Sequence, residues 1–341
     1  MRGAYAPASR LSSLRYLSGP AGDDGEGRLT LRGAVIGLFP GQGAQRVGMG
    51  RSLAEQFACA RQTFEEVDDR LGTSLSRLCF EGPADRLELT ENAQPALLAC
   101  SVAAFRAARE RTGFEPAALA GHSVGEWSAL VVADALDLGD AARGVRERGR
   151  LMQQAVPVGA GAMAAVMGLD PAAVEVLCAE AAAGRVLSPA NLNGAGQVVV
   201  AGHTDAVERL VVLVKERRAR AQMLSVSAPF HCALMAPAAD GVARFLAGVT
   251  LRTPSVPVFT SVEARPVSDP ADIGELLRRQ VTAPVRWEAT MRALGTVPAV
   301  LAVEFGAGKA LAGLWKRTVD QPPVLSVGDA EGMPALQEAL A

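Results

Sequence analysis

The residues that most often build metal centres and disulfides are scarce in this chain. Three histidines, His122, His203 and His231, occur in 341 residues, too few for a His-rich metal centre. Five cysteines, Cys59, Cys79, Cys100, Cys178 and Cys232, are odd in number, scattered and without Cys-x-x-Cys spacing. That excludes a disulfide framework and a zinc site and fits reduced thiols in a cytoplasmic protein. No apolar run approaches the length of a membrane span, so no membrane partner is expected. Excess charge of one sign is also missing. Lys+Arg 34 stand against Asp+Glu 36, a net charge of −2, so nucleic acid and anionic lipid surfaces are not indicated as main partners.

What is present describes a compact soluble protein. Hydrophobic residues make up 49% and charged residues 21%, and the length suffices for one main domain with a smaller second one. Residues 1–32 stand apart, with Arg2, Arg10 and Arg15 but no acidic residue before Asp23-Asp24-Gly25-Glu26. Such a start has the composition of an organellar transit peptide, but it lacks the apolar h-region of a secretory signal. It is read as a flexible N-terminal extension without assigned function.

From residue 33 onward, apolar strands alternate with helices. A strand over 34–39 closes at Pro40-Gly41. Amphipathic helices are expected over 52–71 and 93–109, then a strand and sharp turn over 118–125 and a helical region to about 155. The alternation indicates an α/β architecture with a largely parallel sheet. Residues 159–228 read as their own unit in the order β-α-β-α-β. Its strands lie near 162–168, 197–201 and 221–226. Its helices span 171–183, with Pro171 at the start, and 204–218, with Thr204 as cap. That order suits a small inserted ferredoxin-like subdomain, leaving 33–158 and 229–341 as the core. Helices over 237–249, 272–280 and 287–294 and strands over 258–262 and 299–304 complete the pattern.

The chemistry centres on Gly121-His122-Ser123-Val124-Gly125, an apolar run leading into Gly-x-Ser-x-Gly and then a helix. A serine on a sharp strand-to-helix turn needs small neighbours two residues either side, because the backbone passes close to itself there. The helix N-terminus beside it favours negative charge. An ordinary glycine-rich loop is the alternative. A nucleophilic serine requires a base. His122 is adjacent on a tight turn, where neighbouring side chains diverge, and His203 follows a strand end in an expected surface loop. His231 sits where the inserted unit would return the chain to the core, and clefts form at such crossings. It is the candidate base, a histidine satisfied at a domain joint being the alternative.

Six motifs together resemble the malonyl-CoA:acyl carrier protein transacylase family. They are Phe39-Pro40-Gly41-Gln42-Gly43-Ala44-Gln45, the Gly-His-Ser-Val-Gly-Glu-Trp turn, Arg148-Gly149-Arg150-Leu151-Met152-Gln153-Gln154, the Asn191–Gln197 stretch, Pro229-Phe230-His231-Cys232-Ala233-Leu234-Met235, and the Gln280–Trp287 stretch. They run in family order from about residue 34 onward. The resemblance implies an α/β hydrolase-like core with an inserted ferredoxin-like subdomain, and an acyltransferase serving fatty acid biosynthesis. Ser123 would form a malonyl-serine ester. His231 Nε2 would take its proton and later activate the carrier protein's phosphopantetheine thiol.

The same resemblance places the backbone carbonyl of Gln280 on the histidine, so that the side-chain identity of Gln280 should matter little. The backbone N–H groups of Gln42 and Val124 would form the oxyanion hole. Arg148 would hold the malonyl carboxylate, a role the sequence pattern alone does not single out among Arg143, Arg146 and Arg150. Gln94 would line the pocket, although a polar residue at a helix start is nearly as good a reading. Phe230 leans toward malonyl over methyl-branched acyl groups. Malonyl-CoA and an acyl carrier protein are the implied partners, no cofactor or metal is implied, and a monomer is expected. Ala44, Ala307 and residues 1–32 depart from the family pattern.

Three other readings remain open. A serine hydrolase would use the same turn but usually an Asp or Glu to orient the histidine, and Asp205, Asp240, Asp269 and Asp272 lack a supporting motif. The others are a carrier-docking module without catalysis, and a transacylase of polyketide synthesis or malonate decarboxylation. If His231 is the base, activity should rise near its reference value of about 6.5, shifted by its surroundings.

Overall fold

The computed structural model describes residues 33–341; the segment 1–32, read above as a flexible extension, lies outside the described residues. Its strands are β1 (Ala34–Phe39), β2 (Glu115–Gly121), β3 (Gly161–Met167), β4 (Leu187–Gly194), β5 (Gln197–His203), β6 (Arg220–Met223), β7 (Val258–Phe259), β8 (Pro266–Val267), β9 (Leu301–Phe305) and β10 (Val324–Val327). They form two sheets. The larger has six strands in the order β10-β9-β1-β2-β7-β8. All its pairings are parallel except β7 with β8.

β1 is buried at every residue after Ala34, as a strand covered on both faces must be. It has β2 on one side and β9 on the other. The chain order therefore reverses around β1, and in open parallel sheets a crevice opens at the strand C-termini at such a point. The register places Phe39 opposite Gly121. The residues just after β1 and just after β2 consequently emerge side by side.

Several expected helices are interrupted. The segment 52–71 is broken by extended Phe57 (φ −123°) into Arg51–Gln56 and Ala58–Leu71. The region after the serine turn splits into Gly125–Val132 and Leu138–Gln154. Asp137 opens the second piece by accepting hydrogen bonds from the N–H groups of Gly139 and Asp140, so a side-chain cap sets the boundary. The strand expected over 258–262 stops at Phe259, because Ala264 N–H donates to Thr260 O and the chain turns back into β8.

The stretch 159–228 holds the second sheet, four antiparallel strands in the order β4-β5-β3-β6. Its order is β-α-β-β-α-β, one strand more than the sequence suggests. The extra strand, β4, reads Leu-Ser-Pro-Ala-Asn-Leu-Asn-Gly, rich in turn formers and poor in β-branched residues. It survives as an edge strand with two register irregularities. Its free edge meets the 285 segment of the main body, Val285 N–H donating to Ala190 O and Leu192 N–H to Val285 O, each at 2.8 Å. The helix after β5 begins at Thr204, with His203 at the preceding position and no side-chain cap; the Thr204 hydroxyl, expected as the cap, donates instead to Gly159 O. His203 is half-buried at the end of β5 and accepts from Val186 N–H, not in a surface loop.

Candidate active site

A cleft of about 800 Å³ runs between the two sheets. The β1 and β2 ends contribute Gln42, Ser123 and Val124, and the second-sheet side contributes Met163, Asn191 and Leu224–Ser227.

Ser123 stands on the bend after β2 with φ +52°. A non-glycine residue there is strained by about 1–3 kcal/mol, and the surrounding packing enforces it. A Cβ on Gly121 would lie 1.8 Å from the carbonyl carbon of Gly125, and one on Gly125 would lie 2.1 Å from Phe39 O. Both glycines of Gly-x-Ser-x-Gly are therefore steric requirements of a turn packed against the end of β1. The hydrogen bond from His122 N–H to Phe39 O (2.9 Å) ties the bend to that strand.

His231 also has positive φ, +60°. Its Nδ1 lies 2.7 Å from Gln280 O, which can only accept, so Nδ1 carries the proton. Nε2 is then bare and accepts from the Ser123 hydroxyl at 2.8 Å. Burial and the neighbouring Arg148 charge push the imidazole pKa down to about 3. It is neutral and ready to accept a proton throughout the physiological range, so a rise of activity near 6.5 is not what this geometry gives. None of Asp205, Asp240, Asp269 and Asp272 bonds to the ring. Asp269 caps a helix through Ala271 N–H, and Asp205 pairs with Arg209 and Arg185.

Arg148 is almost wholly buried, 2% exposed, which a guanidinium tolerates only with partners. One terminal nitrogen donates to Gln94 Oε1 at 2.6 Å. The other donates to Ser123 Oγ at 3.0 Å and to Gln280 Oε1 at 3.1 Å. Its Nε is buried without a partner among the described residues. Burial lowers its pKa to about 10, leaving it charged at neutral pH. Gln94 is held in turn: its amide nitrogen donates to Thr90 Oγ1, and that hydroxyl donates to Gln42 Oε1. Arg148 and Gln94 thus lie within the same buried cluster as Ser123 and His231.

Gln42 and Val124 both line the cleft. Each follows its strand end by three residues, so the Phe39–Gly121 register brings them together. Neither backbone N–H has a hydrogen-bond partner among the described residues, and two free donors beside a nucleophile can receive an oxyanion. Phe230, 8% exposed, lines the wall next to His231.

Two side chains escaped the sequence reading. Glu126 is buried, 1% exposed, and its Oε2 accepts from Ser261 N–H, Ser261 Oγ and Gln280 Nε2. The Gln280 side chain therefore bridges Glu126 and Arg148, contacts that the reading of Gln280 through its backbone carbonyl alone did not include. Glu126 lies one helical turn after the nucleophile inside the Gly-His-Ser-Val-Gly-Glu-Trp turn, a spacing that could have flagged it. Ser261 carried no sequence signal. His122 turns away from the serine to bond Asn193 Oδ1 at 3.0 Å across the cleft floor, and burial lowers its pKa.

Comparison with known proteins gives the family and the overall fold. The acyl transferase domain family matches residues 37–338. A malonyl CoA-acyl carrier protein transacylase of Escherichia coli is 45% identical over 302 residues, 88% of this chain and 98% of that protein. The solved malonyl CoA-acyl carrier protein transacylase of Coxiella burnetii superposes with a TM-score of 0.88 at 38% identity, over 91% of this chain and 98% of the other. A malonyl-transacylase solved in complex with a type II PKS acyl-carrier protein superposes with a TM-score of 0.87 at 42% identity, over 89% and 99%.

Proposed function

Because the chain belongs to the malonyl CoA-acyl carrier protein transacylase family, we propose that it moves a malonyl group from malonyl-CoA to the phosphopantetheine thiol of an acyl carrier protein, for fatty acid biosynthesis. One observation carries the substrate class. A buried guanidinium lies 3.0 Å from the nucleophilic oxygen, a position that rewards a carboxylated acyl group and not a neutral ester.

The carboxylate docks on Arg148 and brings the thioester carbon to Ser123 Oγ. As Oγ attacks, its proton passes to His231 Nε2, and Gln280 O holds the resulting imidazolium through Nδ1–H. The tetrahedral oxyanion sits between the N–H groups of Gln42 and Val124. Collapse breaks the C–S bond, and His231 returns the proton to the CoA thiolate. The carrier's thiol then enters, gives its proton to His231 and attacks the malonyl-serine ester. Collapse releases malonyl-S-carrier, and Ser123 regains the proton. No step calls for a cofactor or a metal.

A backbone carbonyl on His231, in place of an acidic side chain, supports transfer over hydrolysis. Among the described residues no helix is long and apolar enough to cross a membrane, and all five cysteines are free. These features support a cytoplasmic enzyme, and we take it to work as a monomer. Intact-mass measurement after exposure to malonyl-CoA tests the reading. One malonyl adduct should form, be absent in Ser123→Ala, and disappear when holo carrier protein is added. Loss of the adduct as free malonate, without malonyl-carrier, would establish a hydrolase instead.

A further inference from the structure

We propose that the side chains of Gln280 and Glu126 form a positioning pair that presents Arg148 to the acyl carboxylate, with Glu126 acting through Gln280. The proposal rests on the transacylase reading above and assigns two residues to its specificity.

Gln280 is fully buried and ends the helix Pro270–Gln280. Its backbone carbonyl holds His231, while its side chain does something separate. Oε1 accepts from Arg148 at 3.1 Å, and Nε2 donates to Glu126 Oε2 at 2.7 Å. An amide has an acceptor end and a donor end. Rotated by half a turn, it would set N–H against the guanidinium N–H groups and oxygen against the carboxylate, repulsive at both ends. A carboxylate only accepts, so Glu126 decides which way the amide faces. Glu126 is itself fixed by Ser261, through N–H at 2.9 Å and Oγ at 2.6 Å.

The spacing matters as much as the orientation. Glu126 forms no direct ion pair with Arg148 among the described residues. The intervening amide lets a buried negative charge sit near the guanidinium while only a neutral oxygen takes one of its donors. A carboxylate in direct contact would hold the donors that the substrate must use. Gln94 Oε1 plays the matching part on the other terminal nitrogen, its own amide nitrogen anchored on Thr90. An arginine side chain otherwise has the rotamer freedom of a long, flexible stem to lose. Immobilising it beforehand moves that cost out of substrate binding.

Gln280→Met keeps the backbone carbonyl on His231 and removes the amide. Its KM for malonyl-CoA should rise about tenfold, the scale of one hydrogen bond to a charged group, with kcat within about threefold. The kcat/KM for acetyl-CoA should fall by no more than about threefold. Glu126→Gln removes the carboxylate that fixes the amide and should give the same split. In the Gln280→Met background it should add less than about twofold. Active-site titration with a serine-directed fluorophosphonate counts correctly built sites, and Glu126→Gln, being isosteric, carries the test alone if Gln280→Met does not fold. Equal losses for malonyl and acetyl, an unmoved malonyl KM, or additive effects in the double variant would each overturn the proposal. Failure of the unaltered enzyme to load malonyl would instead sink the transacylase reading.

Discussion

Arg148 donates to Ser123 Oγ across 3.0 Å while that same oxygen donates to His231. On the proposed function, the cation that would take the substrate's carboxylate rests on the nucleophile. An arriving carboxylate would then compete for the same terminal nitrogen and free a lone pair on Oγ, an exchange a neutral acyl group would not make.

Arg148→Ala should accordingly lower kcat/KM for malonyl-CoA by about a hundredfold to ten-thousandfold, two charge-assisted hydrogen bonds being worth about 1.5–3 kcal/mol each. Acetyl-CoA should lose far less. Arg148→Lys should recover only part of the loss, since an ammonium cannot replace a planar fork. Acyl loading followed by intact mass gives both values, and equal losses would remove Arg148 from carboxylate binding.

The pH behaviour follows from burial and Arg148 holding His231 at about 3, below the usual 6.5. A histidine with a lowered pKa stays a free base as pH falls, so kcat/KM for loading should remain level through pH 6.5 and decline only toward about pH 3. Bound malonate offsets the Arg148 charge, so the acid limb of kcat should lie at higher pH than that of kcat/KM. Stability has the corresponding sign. The unfolded chain takes up the proton near 6.5 and the folded one only near 3. The contribution is full above 6.5 and fades between those values as pH falls. Urea midpoints of the unaltered protein and His231→Gln should converge over that window. A kcat/KM limb at 6.5 would show that the imidazole is not buried beside a cation.

Local signals carried much of the site and less of its support. The serine turn was legible because Gly121 and Gly125 are forced by backbone contact, a constraint that leaves a mark on sequence. His231 was reachable because only three histidines exist. Arg148 had no local mark among neighbouring arginines, and only resemblance singled it out. Glu126 and Ser261 meet through a hydrogen bond across 135 residues of sequence, a pairing no window of pattern can show. In the fold, β1, β2, β7 and β9 of the larger sheet stood out by apolar runs, whereas the two-residue β8 and the short edge strand β10 (Val324–Val327) did not. β4 did not, because its pairing partners supply the stability that Pro189 and its asparagines withhold.

Gly125→Ala tests the steric claim for the turn. The added methyl would sit 2.1 Å from Phe39 O, and backbone atoms cannot yield as a flexible side chain can. Overpacking of this kind typically costs about 1–3 kcal/mol. The relief available is to move the bend, so the thermal midpoint should fall and malonyl loading should fall further than stability explains. Full loading in a folded Gly125→Ala variant would show that the close approach of the bend to β1 is not needed.

Phe230 offers a test of acyl choice. Its ring lines the cleft immediately before His231 and is 8% exposed, so its loss enlarges the acyl space on the side of the base and leaves Arg148 untouched. One methyl group discriminates by about 1–3 kcal/mol in a fitted pocket. Phe230→Ser should therefore raise methylmalonyl loading relative to malonyl by about tenfold, chiefly by admitting the branched group. The buried ring also packs in the core, so the thermal midpoint should drop as well. Competition between the two thioesters, read as the ratio of adduct masses on Ser123, separates these effects because both acyl groups meet the same folded population. An unchanged ratio would mean that another part of the wall, with Met163 and Leu224 facing the same space, sets the limit on branching.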